Sequence, residues 1–399
     1  MAVPLPQPQI LVAHPWMGRG GSEATAMWTL HALQDVARIT FTSASPVDFD
    51  SLNRVYGTRV SPSRVEFLQA PRFPWVETGT KFAFWQRAWF ERFCSRVGGR
   101  FDACISAYNP IRFSRPAIQL IGDFSFSEEC RLELYPTASE QAHHRPSLVR
   151  KLYLSVGEQL AGRENPESIG AGDCVVANSR WTAGILGKHF QLTDPPILYP
   201  PAAKHPGGGA GERDPLAFVC MGRIMPEKEL ETIIVILDKV RAAGHPVTLD
   251  LAGQFGPDPY SRRIREMAEE RRDWIDLVGF LDPKKKSEMF ATRSYGIHAC
   301  RVEAFGIAVA EMAAAGLIPF VPAHGGVPEI VGRDELIFAD EDDAAAKICA
   351  QLADRSGDVA LRAGLQARVA GFWPECFAEN LLGIVGNFLG RPLADTATP

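Results

Sequence analysis

EAFGIAVAEMAAAG, residues 303 to 316, carries one charge, Glu311, between Ala304 and Gly316. Ile307 to Ala310 and Met312 to Ala315 leave a helix no polar face, which predicts a helix buried in a core. A carboxylate on such a helix is costly unless something hydrogen-bonds it. A neighbouring Arg or Lys would serve, and so would a ligand. In the second case Glu303 stands in the loop before the helix, Gly306 opens it, and Glu311 lies on its second turn. Free backbone N–H groups and the positive dipole end suit phosphate there, with the two carboxylates left for hydroxyls.

Upstream of this stretch, strand 217–221 feeds GRIMPEKE, residues 222 to 229, which places Arg223 and Lys228 before a helix at 229–243. Two cations converging on a helix N-terminus make an anion site. Strand 247–252, helix 259–271, strand 275–278, helix 283–292 and strand 297–299 follow, and strand 317–321 comes after the central helix. Such alternation predicts a parallel sheet covered on both faces, with ligands at the carboxyl ends of its strands.

KHPGGGAGERDP, residues 204 to 215, reads as a linker. The half before it has the same grammar. Strand 9–13, the loop HPWMGRGG and helix 22–35 open it; strand 39–42, helix 81–97, strands 103–107 and 118–121, helix 148–162, strand 174–177 and helix 180–190 continue it. Gly18, Gly20 and Gly21 stop short of the dinucleotide fingerprint, because Glu23 stands where its third glycine belongs. Tyr108-Asn109, Gly122-Asp123 and Asn178-Ser179 follow strand ends, where ligands gather. Residues 344–390 read as helical with a bend at Pro374, the last helix crossing back onto the first half.

A chain of 399 residues has room for two full cores, and a formal charge of -5 gives no electrostatic case for nucleic acid. The eight cysteines lie singly in the chain, without metal-ligand or disulfide spacing. MAVPLPQPQI lacks the charged and apolar regions of a signal peptide, and the run 305–323 is broken by Glu311, Gly316, Pro319 and Pro322, so a cytoplasmic protein is expected. Residues 72–96 are dense in aromatics and bases. They read either as a helix whose stripe packs on the sheet or as a surface meeting lipid headgroups. Asp48 and Asp50 have the spacing of a metal-binding pair but fall in a stretch that reads as a polar loop.

GRIMPEK (222–228) with EAFGIAVAE (303–311) resembles the signature of retaining glycosyltransferases of family 4, group 1. GGSE (20–23), VVANS (175–179), YPP (199–201), GFLD (279–282) and HGGVPEIV (324–331) extend the resemblance through both halves. IHACRVEAFGI, GGSEATAMW and LYPP are most similar to the eukaryotic mannosyltransferases that extend lipid-linked oligosaccharides from GDP-mannose. The resemblance implies an α/β protein of GT-B fold, with two Rossmann-like domains facing across a cleft. It divides the chain into an acceptor domain (1–203), the linker (204–215), a nucleotide-sugar donor domain (216–375) and a returning helix (376–399). It further implies retaining, metal-independent transfer of a hexose, mannose favoured, from GDP-mannose or a UDP-sugar to a glycan or lipid-linked acceptor, with no cofactor.

Residue by residue, the resemblance places Gly222, Arg223 and Lys228 at the donor diphosphate and Glu311 at the ribose hydroxyls. Glu303 and the backbone of Ala304, Phe305 and Gly306 would take the sugar hydroxyls and phosphate. Phe280 and Leu281 would frame the base, and Gly20 and Gly21 would let the first domain's loop approach the sugar. One departure stands out. Many relatives carry a His after the strand that here reads AIQLIGD, where this chain has Gly122 and then Asp123. Asp123 is the substitute candidate, with His14 and His298 as further ones. Two rival readings are a nucleotide-sugar epimerase and a sugar-nucleotide-binding partner that has lost its chemistry.

Overall fold

The computed structural model describes residues 6–77, 81–135, 147–162, 169–204 and 213–393. The chain forms two compact units, Met1–Pro201 with Pro374–Pro399, and Ala202–Trp373. Most of the expected linker, residues 205–212, lies outside the described residues.

The first unit runs β1 (Gln9–Ala13), α1 (Gly21–Leu33), β2 (Arg38–Ser43), α2 (Phe49–Tyr56), β3 (Val65–Gln69), α3 (Ala83–Gly98), β4 (Ala103–Ser106), β5 (Ile118–Ile121), α4 (Glu128–Leu134), α5 (Leu148–Ala161), β6 (Cys174–Ala177) and α6 (Arg180–Phe190). Its six strands lie in the order β3-β2-β1-β4-β5-β6, all parallel. Ile10 to Ala13 are buried, as a central strand covered on both faces requires. The stretch after SASPV is a helix and not the expected loop. Asp48 caps it, accepting from Ser51 N–H at 3.0 Å, while Phe49 and Leu52 turn inward, so the Asp48 carboxylate is held by backbone.

The second unit runs β7 (Asp214–Met221), α7 (Leu230–Ala242), β8 (Thr248–Ala252), α8 (Pro259–Glu269), β9 (Ile275–Gly279), α9 (Pro283–Thr292), β10 (Arg293–Ile297), α10 (Ile307–Ala314), β11 (Ile318–Pro322), α11 (Val327–Val331), β12 (Ile337–Phe338), α12 (Glu341–Ala353) and α13 (Asp358–Val369). The strand expected at 297–299 is β10, which begins at Arg293 because α9 runs straight into it. The order β12-β11-β10-β7-β8-β9 repeats that of the first unit. In both, the chain reverses direction across the sheet between the first and fourth strands, the point at which such sheets bind ligands.

The helix at 307–314 is buried as its composition requires, and a buried helix end must find partners for its carbonyls. Arg213 donates to Ala315 O at 2.6 Å, Arg362 to Gly316 O at 2.5 Å and Gln366 to Ala314 O at 3.2 Å. Beneath it, Tyr295 stacks on Phe218 with ring centroids 5.0 Å apart.

After the bend at Pro374, α14 (Pro374–Leu389) belongs to the first unit. Phe377, Leu381 and Val385, spaced i, i+4, i+8, share a core cluster with Met27 and Leu30 of α1.

In α3, Phe90, Glu91 and Cys94 are buried, and Trp85 lies between Phe82 (4.9 Å) and Tyr153 (5.1 Å). The aromatic stripe is mainly packing. Trp75, Phe82 and, on α5, Leu148, Val149 and Leu152 are exposed. Among the described residues no helix is long and apolar enough to cross a membrane.

Candidate functional site

In the second unit, the segments leaving β7 and β10 meet at the reversal point of the sheet. On the other side of β7, a glycine pair lets the segment leaving β8 pack against the one leaving β7: a Cβ on Gly253 would lie 2.1 Å from Gly222 O. A single 3₁₀ turn, Pro226–Lys228, then brings Lys228 back toward β10. Its ammonium reaches Glu303 Oε2 at 2.5 Å, and His298 Nε2 lies 3.3 Å from the same oxygen. Burial opposes the charge on Lys228, but Glu303 more than offsets it and the Lys228 pKa is raised. Burial likewise opposes the charge on Glu303, yet Lys228 and His298 hold its pKa far below the usual carboxylate range. Both groups are therefore ionised at neutral pH. Arg223 stands exposed nearby, and its charge acts on Lys228.

The loop from Glu303 to Gly306 is shaped by backbone rather than side chains. Gly306 adopts φ +105°, and a Cβ there would lie 2.6 Å from Val327 Cγ1. Gly326 N–H donates to Glu303 O at 2.8 Å, which fastens the HGGVPEIV segment against the loop. The N-terminal amides of α10 thus open beside Glu303, with Ala304 and Phe305 buried under them. This end of the sheet offers two cations, one carboxylate and a helix N-terminus, a set suited to a diphosphate carrying a hydroxylated group.

Glu311 has a partner that the sequence reading did not name. Lys286 Nζ of α9 reaches its Oε1 at 2.8 Å. The neighbouring-cation reading thus holds for the protein as it stands, and a ribose would have to bind alongside this pair. Lys286 precedes the buried Phe290 by four residues, so helical spacing already puts both on one face. Phe280, 53% exposed, and Leu281 follow β9. His298, Cys300 and Glu303 bring three ligand-type atoms within 4.8 Å. Burial pushes the Cys300 thiol up to about 12 and Lys228 already sits on Glu303, so the donor set fits an ammonium better than a metal ion.

In the first unit, β1 and β4 end at the corresponding point. His14 follows β1 and is fully buried, its ring 5.1 Å from that of Tyr108 in an edge-on contact. Desolvation pulls its pKa down to about 4, against smaller opposing effects of the Glu23 charge and the Trp16 backbone. The glycine loop after it is clasped: Tyr56 hydroxyl accepts from Gly20 N–H (2.9 Å) and donates to Gly20 O (3.1 Å), and Gly18 N–H donates to Glu23 at 3.1 Å. Gly18 and Gly20 leave room for Glu23 to fold back, since a Cβ on Gly18 would meet its Oε1 at 3.1 Å and one on Gly20 its Oε2 at 2.8 Å. Asp123 is a turn-former as it stands, its Oδ1 accepting from Asn109 Nδ2 and from Ser125 N–H, each at 2.8 Å.

Residues 208–368 match the family model described as Glycosyl transferases group 1. The GPI3 subunit of phosphatidylinositol N-acetylglucosaminyltransferase from Saccharomyces cerevisiae is 26% identical over 143 residues, 35% of this chain and 31% of that one, so the chain matches about a third of that relative's length. A GDP-Man:Man(3)GlcNAc(2)-PP-Dol alpha-1,2-mannosyltransferase from Dictyostelium discoideum is 22% identical over 382 residues, 81% of this chain and 72% of that one. Among solved structures, Anabaena Alr3699/HepE in complex with UDP-glucose superposes with a TM-score of 0.66 at 15% identity, covering 96% of this chain and all of that one. With two Rossmann-like units of identical strand order, the fold is GT-B.

Proposed function

We propose that this chain, which carries a Glycosyl transferases group 1 domain at residues 208–368, is a glycosyltransferase that moves a hexose from a nucleoside-diphosphate sugar to a lipid-linked acceptor. The observation that carries the reading is the convergence of Arg223, Lys228, Glu303 and the α10 N-terminus at the reversal point of the second sheet. UDP-glucose is the ligand of one relative in fold, and a GDP-mannose enzyme aligns along most of the chain. Those two likenesses support a sugar nucleotide; mannose is the favoured sugar because the more extended alignment is the mannosyl one.

In this reading the departing diphosphate gathers negative charge as the glycosidic bond breaks. Lys228, held ionised by Glu303, and Arg223 stabilise it, and the α10 amides take a phosphate oxygen. Glu303 keeps its free lone pairs for a sugar hydroxyl, and Glu311 accepts from the ribose beside Lys286. No metal is required, so turnover persists in chelator. The acceptor hydroxyl bonds to the anomeric carbon from the face the diphosphate vacates and passes its proton to the departing phosphate oxygen, so the anomeric configuration is retained. Trp75, Phe82, Leu148, Val149 and Leu152, exposed on the first unit, rest on the membrane that carries the acceptor.

The test is release of nucleoside diphosphate from UDP- and GDP-sugars, with and without acceptor. Arg223→Ala and Lys228→Ala should each lower turnover roughly a hundredfold, the cost of one lost transition-state donor. Near-normal turnover in both refutes the site, and NMR of the product showing the opposite anomer refutes retention.

A further inference from the structure

His14 is a buried group at the first unit's reversal point that the proposed chemistry leaves idle. By hydrogen-bond geometry neither buried ring nitrogen is matched, and the Trp16 backbone contributes only the smallest of the effects on the ring. A buried imidazole of this kind costs free energy that an apolar ring of similar shape would not. It also stays neutral, so one nitrogen donates and the other accepts.

Its place is not that of an ordinary core residue. It follows the central strand β1 directly, against Tyr108 beyond β4, where this sheet topology receives ligands. The segment after it, residues 16–21, contains three glycines; its ties include Met17 N–H to Ser45 Oγ at 2.7 Å, the Glu23 clasp on Gly18, the Tyr56 clasp on Gly20 and the Trp16 ring against Tyr108 at 5.9 Å. Gly18, Arg19 and Gly21 are exposed.

We infer that His14 binds a hydroxyl of the acceptor through one of its ring nitrogens when the glycine segment shifts. The inference rests on the glycosyl-transfer reading and names an acceptor-side group for the first unit. An idle ring nitrogen is then matched by ligand in the working state, and the cost of leaving it unmatched is borne only in the free protein.

His14→Phe separates a ligand group from a structural one, because the two roles predict opposite stability and activity. The full chain is assayed with GDP-mannose or UDP-N-acetylglucosamine as donor. Vesicles of phosphatidylinositol, or of Man(3)GlcNAc(2)-diphosphodolichol, serve as acceptor probes. Expected is a melting temperature unchanged or a few degrees higher, donor affinity by calorimetry unchanged, and kcat/KM for acceptor lower by roughly tenfold to a hundredfold. His14→Gln, which keeps a donor and an acceptor, should recover part of the loss, and it decides the matter if the Phe variant does not fold. Wild-type acceptor kinetics in the folded variants overturn the inference. So does a lower melting temperature for a folded His14→Phe, which would mean that water or protein already satisfies the ring. A wild-type protein that turns over neither donor with either probe overturns the glycosyl-transfer reading itself.

Discussion

Lys228 and Glu303 show how a charged pair at the end of a sheet differs from a surface salt bridge. Each side chain is about four-fifths covered, and each is ionised because the other is. Removing Lys228 therefore costs twice, by losing a donor to phosphate and by leaving Glu303 uncompensated. His14 is the opposite case, a group kept neutral by burial. Its folded pKa of about 4 lies below the usual 6.5, so on acidification the unfolded chain takes up a proton that the folded one refuses. Stability attached to His14 is complete above pH 6.5 and is lost as pH falls toward 4, by about 3 kcal/mol in all. Chemical denaturation of the wild type and His14→Phe at pH 7 and pH 4 should show the wild type losing about that much more than the variant. Equal losses would mean that the ring is solvated.

At the scale of elements, α9 and α10 are joined by Lys286 and Glu311, a mostly buried pair from different helices. Lys286→Met should destabilise the protein by about 3 kcal/mol, since it strands a buried carboxylate. Adding Glu311→Met should recover most of that in urea unfolding while donor affinity stays impaired. If the double variant binds donor normally, Glu311 has no part in the ribose site. The helix that buries Glu311 was legible from its composition, as were the apolar runs that became β1, β7 and β8. The partner of Glu311 was not, because it depends on which helix packs alongside. Short elements were missed for a related reason: α2 is specified by a cap at Asp48 and two inward residues, Phe49 and Leu52, too few to show a period. The His298 contact with Glu303 joins two ends of one loop, and only the fold of that loop brings them within 3.3 Å.

At the scale of the whole molecule, two sheets with the same strand order present different chemistry at equivalent points. The second unit gathers cations and backbone amides around Glu303, while the first offers a neutral His14, a clasped glycine loop and an Asp123 committed to its turn. Under the proposed function, that asymmetry suits the second unit to the anionic donor and the first to the uncharged, hydroxyl-bearing acceptor. The proposed donor side is written in contiguous motifs, whereas the proposed acceptor side depends on isolated residues such as His14. The most direct test is calorimetric titration of the wild type and Lys228→Ala with GDP-mannose, UDP-glucose and UDP-N-acetylglucosamine. At least one sugar nucleotide should bind the wild type and bind the variant roughly tenfold to a hundredfold more weakly, the loss expected for one charge-assisted contact. Binding of none of them, or equal binding to both proteins, would contradict the donor site described.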